Sequence, residues 1–182
     1  MTSVKMSSGN PVRMGGDNHN VFVYGSLLAD EVVRILLKRV PPSTPATLPD
    51  YHRFKIKGRV YPAILPVQNN NKVTGRVLLG ISGLELDILD EFEDVEYTRS
   101  DVEVFLMDNS EKMQVYAYVW SNKDDPDLYG EWEFEEWKQV HMKDFVKMTD
   151  EFKEQLELPE SKPRVQTYET FYKQENDKPH EP

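Results

Sequence analysis

The chain has 182 residues, no cysteine, and 32 acidic against 22 basic side chains, a net charge of −10. That length suits one domain with tails; the charge argues against nucleic acid and anionic membrane surfaces as partners, and the missing cysteines exclude disulfides, thiolate catalysis and Cys-ligated metal centres. Nine Tyr, eight Phe and three Trp within 38% hydrophobic content supply enough apolar surface for a core.

Residues 1–20 hold no apolar run of the kind a signal peptide or membrane helix needs, and read as a flexible N-terminal tail on a cytoplasmic protein. Val21 to Tyr24 is a short apolar run of buried-strand type, broken by Gly25-Ser26. Asp30 reads as the N-cap of a helix carrying Val33, Leu36, Leu37 and Val40 on one face and stopped by Pro41-Pro42. Arg53 to Leu65 reads as two strands interrupted at Gly58, and Val73 to Leu79 as another. Ser82 and Glu85 fit a capping box, and the helix after them places Leu84, Ile88 and Phe92 at i, i+4, i+8 with Leu89 alongside.

Val102 to Met107 and Met113 to Trp120 read as a hairpin around the polar loop Asn109 to Lys112. In its second strand Val115, Ala117 and Val119 alternate with Tyr116, Tyr118 and Trp120. From Glu133 to Leu156 the pattern predicts one long helix, with Phe134, Trp137, His141, Phe145, Met148, Phe152 and Leu156 in a single stripe. A lone histidine on such a stripe is read as a packing residue. Pro159 ends the helix and opens a polar C-terminal tail, 159–182, so the body spans 21–158 and carries 26 acids and 16 bases. This order of elements predicts an α+β domain with a mixed or antiparallel sheet and helices at its margin.

Familiar catalytic signatures are missing. No Gly-rich phosphate loop matches, and Ser26 lacks the second glycine of a nucleophile elbow. Two stretches can carry chemistry. The first is Tyr24-Gly25-Ser26-Leu27-Leu28-Ala29, a strand-to-helix loop whose free amides would suit a carboxylate, with Gly25 clearing the approach; an ordinary connection fits the same residues. The second is the acidic run from Asp87 to Glu96, six carboxylates whose repulsion favours one retained proton and so a base near neutral pH. A solvated helix end or a hard-cation site would also fit, although the spacing is not that of an EF-hand.

Taken in order, VFVYGSL, RVYPAIL at 59–65, VTGRVL at 73–78 and LDILDEFEDVEYTRSDVEV at 86–104 resemble the γ-glutamylcyclotransferase-like superfamily. The plant avirulence-induced branch is the most similar, and the Trp-rich segment Glu131 to Trp137 shares in that resemblance. The resemblance spans residues 20 to 150. It implies a small mixed-strand β-barrel flanked by helices, with a long C-terminal helix and the site at one mouth. It also implies cleavage of a γ-glutamyl amide by the substrate's own α-amine, releasing 5-oxoproline without metal or organic cofactor. On that footing Glu93 is the general acid/base, Tyr24 to Ala29 form the loop for the γ-glutamyl head group, and Tyr61 and Tyr97 are pocket aromatics. The C-terminal helix could cover the pocket or serve a protein partner. The alternative is a non-catalytic binding or signalling module on the same fold, using that helix as its contact surface.

Overall fold

In the computed structural model, residues 18–68 and 70–157 are described. The tails expected at either end, and the helix stop at Pro159, lie almost wholly outside them. Five strands close a barrel in the order β1-β5-β2-β6-β7: β1 His19–Val23, β2 Ser43–Pro49, β5 Lys72–Ile81, β6 Tyr97–Leu106 and β7 Lys112–Trp120. All pairs are antiparallel except the closing one, in which Val21 and Phe22 lie parallel to Tyr116 and Ala117. Three further strands, β3 Tyr51–Ile56, β4 Ala63–Pro66 and β8 Leu128–Tyr129, form a separate small sheet in the order β4-β3-β8.

Strand alternation separates two cores. Phe22, Tyr24, Ala46, Leu48, Val73, Val77, Val102, Val104, Val115 and Ala117 share one face and fill the barrel. Val21, Val23, Leu78, Tyr118 and Trp120 face the other way and are covered by helices. Both faces of β7 are therefore buried, which explains why its aromatic row is as apolar as its Val/Ala row.

Strand β2 is absent from the sequence reading because Pro45 and Pro49 argue against a strand in STPATLP. The Pro45 carbonyl accepts from the Met107 amide on the β6 side, and the N–H that both prolines lack would point to that same side. There only Ala46 and Thr47 pair with β6, so the full-length ladder to β5 loses nothing.

The helices also depart from expectation. Helix α1 is Asp30–Leu37, with Ala29 rather than Asp30 as its N-cap; Asp30 is the first helical residue and pairs with Arg76 at 2.9 Å. It stops at Leu37, with Lys38 left-handed, so Val40 lies beyond the helix. Helix α2, Gly83–Glu93, has the expected capping box, in which the Ser82 hydroxyl accepts from the Glu85 amide and Glu85 accepts from the Ser82 amide. Its buried face is Leu86, Leu89 and Phe92, however, while Leu84 is 78% exposed. The buried stripe is i, i+3, i+6, and it packs into the core that the helices share with the outer face of the barrel.

The long terminal helix is two helices, α3 Phe134–Val140 and α4 Met142–Leu156, joined at His141. The break falls after β-branched Val140 and at a half-buried histidine, both weak helix formers. The apolar stripe continues across it, since the Trp137 and Phe145 ring centroids lie 5.6 Å apart. Trp137 is 1% exposed, and Phe145, Met148 and Phe152 are equally buried. The apolar stripe from Trp137 to Phe152 is thus turned into the core. No helix among the described residues is long and apolar enough to cross a membrane.

Candidate active site

A cleft opens where β1 leaves the barrel and α2 ends. Tyr24, Gly25, Ser26 and Leu27 form one wall; Glu93 and Phe92 come from α2; Tyr61 and Pro62 precede β4; Tyr97, Tyr118 and Phe145 complete it. Tyr24 to Leu27, Tyr61, Glu93 and Tyr97, distant in sequence, thus surround one space. Leu28 and Ala29 do not line it: Leu28 packs against the core and Ala29 caps α1.

The loop after β1 is a 3-10 turn, Ser26–Leu28, closed by the Leu28 amide on the Gly25 carbonyl and the Ala29 amide on the Ser26 carbonyl. Arg76 holds it from outside, donating to the Leu27 carbonyl at 3.0 Å. The amides of Gly25, Ser26 and Leu27 have no acceptor among the described residues, so this wall presents three N–H groups in succession. The space freed by Gly25's missing Cβ is taken by protein, not by the approach to the cleft. A Cβ there would lie 2.8 Å from Pro62 Cγ. Pro62 is in turn fixed by Tyr97, whose hydroxyl donates to its carbonyl at 2.6 Å. Tyr24 belongs to the barrel interior, with its hydroxyl donating to the Tyr118 carbonyl and its own carbonyl accepting from Arg53.

Glu93 is the last residue of α2 and half-buried. The next residue, Asp94, takes φ 62° and ψ −165°, a glycine-like conformation, with its carboxylate accepting from the Val95 amide at 2.7 Å. That sharp reversal turns the chain into β6 and leaves Glu93 on the helix end that faces the cleft. The rest of the acidic run disperses. Asp90 receives Arg99 at 2.7 Å and the Tyr118 hydroxyl at 2.6 Å, while Glu96 receives Arg59 at 3.1 Å and the Tyr61 hydroxyl at 2.8 Å. The mutual repulsion expected from six carboxylates is therefore relieved by two guanidinium groups. Among the described residues no three His, Asp or Glu side chains converge as a metal site.

The hydroxyls of Tyr61 and Tyr97 are thus engaged in holding the structure, and these two residues offer the cleft ring surface, with centroids 6.4 Å apart. Sequence reasoning missed Pro62 and Phe145 as cleft residues, and above all Tyr118. Burial and the nearby Asp90 and Glu93 hold the Tyr118 phenol well above its ordinary range, so it stays protonated. Its signal was present as an aromatic residue alternating on an otherwise aliphatic strand, but strand pattern does not say what covers each face.

The sequence profile of the γ-glutamyl cyclotransferase, AIG2-like family matches residues 21–139. AIG2-like protein D of Arabidopsis thaliana is 65% identical over 144 residues, 79% of this chain and 94% of that protein. AIG2-like protein C of the same plant is 59% identical over 163 residues, 88% and 94% respectively. The solution structure of another Arabidopsis thaliana protein superposes with a TM-score of 0.60 at 46% identity, covering 79% of this chain and 96% of that one. The solved structure of a γ-glutamyl cyclotransferase, 17% identical with a TM-score of 0.53 over 86% of this chain and 99% of its own, shares the fold. The chain belongs to the γ-glutamyl cyclotransferase, AIG2-like family.

Proposed function

We propose that this chain is a γ-glutamylcyclotransferase that releases 5-oxoproline and an amine or amino acid from a γ-glutamyl amide. The observation that carries this reading is the pairing, across one cleft, of a half-buried carboxylate on a helix end with three successive open amides: Glu93 facing Gly25, Ser26 and Leu27. The reaction calls for both. A substrate α-ammonium is no nucleophile until a base takes a proton, and Glu93 serves as that base. The freed amine nitrogen attacks the substrate's own γ-carbonyl carbon, closing a five-membered ring, and the carbonyl oxygen becomes an oxyanion. Amides of Gly25 to Leu27 stabilise that charge or the α-carboxylate.

Collapse of the intermediate breaks the bond to the leaving nitrogen, which takes the proton from Glu93, while the ring nitrogen gives up its second proton to the departing amine and becomes the lactam N–H. No water is consumed, and the carboxylate is regenerated. Because attack is intramolecular, holding the substrate folded between the loop and the rings of Tyr61 and Tyr97 supplies much of the rate. Family membership and the shared cyclotransferase fold support this reading.

The test is incubation with a panel of γ-glutamyl compounds, following 5-oxoproline by mass spectrometry. Wild type should form product, and Glu93→Gln should lose about 10²- to 10⁴-fold in turnover with an unchanged melting curve. Product at equal rates from both would remove Glu93 from the mechanism. No product from a folded wild type would leave the cleft a binding site without this chemistry.

A further inference from the structure

Tyr118 has a hydrogen-bonding state that its surroundings dictate. Its hydroxyl donates to Asp90 Oδ1 at 2.6 Å, while Arg99 donates to Asp90 Oδ2 at 2.7 Å. A carboxylate paired to a guanidinium has only acceptors to offer, so the Tyr118–Asp90 bond runs in one direction. The hydroxyl makes no other hydrogen bond among the described residues. Its oxygen therefore keeps lone pairs to give, and Tyr118 lines the same cleft as Glu93. Arg99 faces Tyr118 directly in the β6–β7 ladder, and its guanidinium lies 4.8 Å from the Tyr116 ring centroid, so the three-residue unit is held from both sides.

We infer that Tyr118 is a neutral acceptor for the substrate's α-ammonium, placed beside Glu93, with Asp90 as the positioning residue that sets the direction of its hydroxyl. The inference rests on the cyclotransferase reading and adds to it a reason for selecting substrates with a free α-amine. A tetrahedral ammonium has three N–H groups to satisfy, and Glu93 can take only part of them. A second carboxylate would bind the ammonium more strongly but would also hold its proton. A neutral oxygen binds and orients the nitrogen while leaving the proton free to pass to Glu93. Asp90 contributes its charge one bond away, where Arg99 offsets it.

The experiment uses the full chain with Tyr118→Phe, which keeps the ring and removes the acceptor, and with Asp90→Asn, which lets the hydroxyl reverse its role. Two readouts are taken: KM and kcat for a γ-glutamyl amide, and direct binding of L-glutamate against glutarate, which differ only in the α-amine. Wild type should prefer L-glutamate. Tyr118→Phe should raise KM about ten- to a hundredfold and lower the preference for L-glutamate by a similar factor, with glutarate binding unchanged. Asp90→Asn should move the same two quantities by less.

Turnover in wild type, with KM and the L-glutamate preference unchanged in Tyr118→Phe, overturns the role of Tyr118 and leaves that of Glu93 standing. Equal weakening of L-glutamate and glutarate in both variants shows a purely structural role, which also overturns it. Should Tyr118→Phe fail to fold, Asp90→Asn decides by the same ratio. Absence of 5-oxoproline from wild type overturns both readings.

Discussion

Asp94 sits one residue beyond the proposed base, in a backbone conformation that glycine adopts freely and other residues only at a cost of about 1–3 kcal/mol. Its carboxylate offsets part of that cost through the Val95 amide. Asp94→Ala removes the hydrogen bond and keeps the strain, whereas Asp94→Gly removes both. Chemical denaturation should place Asp94→Ala about 1–2 kcal/mol below Asp94→Gly, and a reversed order would show that the turn is not strained. Gly25 presents the converse case. A methyl group there meets the Pro62 ring, which Tyr97 holds in place, so Gly25→Ala should destabilise by about 1–3 kcal/mol and depress turnover by tilting the amide wall. An alanine variant as stable and active as wild type would mean that Pro62 yields.

Among the elements, α2 has the most to do, because it delivers Glu93 from one end while anchored at the other. At its start Glu85 closes the capping box and accepts from Nε and Nη2 of Arg39, each at 2.7 Å, which holds its carboxyl below the ordinary value of 4.5. A carboxylate whose folded pKa is depressed stabilises the fold above its unfolded pKa, and that contribution is lost as pH falls through the folded value. Wild-type stability should therefore decline below pH ~4.5 by a component that Glu85→Gln lacks, and Glu85→Gln should cost about 1 kcal/mol at neutral pH. Parallel stability–pH curves for the two would contradict this. Helix α4 is fastened in another way. Lys153, 8% exposed, donates to the Leu36 carbonyl at 2.9 Å at the C-terminus of α1, tying the two helices where α1's carbonyls lack partners.

For the whole molecule, the terminal helices are part of the core, and α4 is also part of the cleft. Phe145 and Phe152 are both fully buried on α4, and both pack on Phe92, at 6.1 Å and 5.4 Å between centroids. Only Phe145 reaches the cleft. Either substitution to Ala should cost about 3–5 kcal/mol, measured by thermal or denaturant unfolding. At a temperature where both variants remain folded, only Phe145→Ala should change KM. An equal effect on KM would mean that the cleft responds to general loosening and not to its own wall.

Much of this was legible along the chain. The strand run Val21 to Tyr24, the capping box at Ser82, the hairpin around Asn109 to Lys112 and the terminal stripe follow from local patterns of period two or 3.6, because each element must bury one face. The motif order carried the family, and with it the barrel and the loop and glutamate of the cleft. What the tertiary structure alone decided has one physical reason: it depends on which surface lies opposite. A full ladder to β5 and only a two-residue pairing to β6 make a strand of STPATLP despite its prolines. Helix α2 buries Leu86 in place of Leu84, and Pro62 gives Gly25 its purpose. Arg99 and Arg59, arriving from β6 and from the segment before β4, turn a repelling acidic run into two neutralised pairs. Tyr118 becomes a cleft residue only because α2 sets Asp90 and Glu93 on its face of β7.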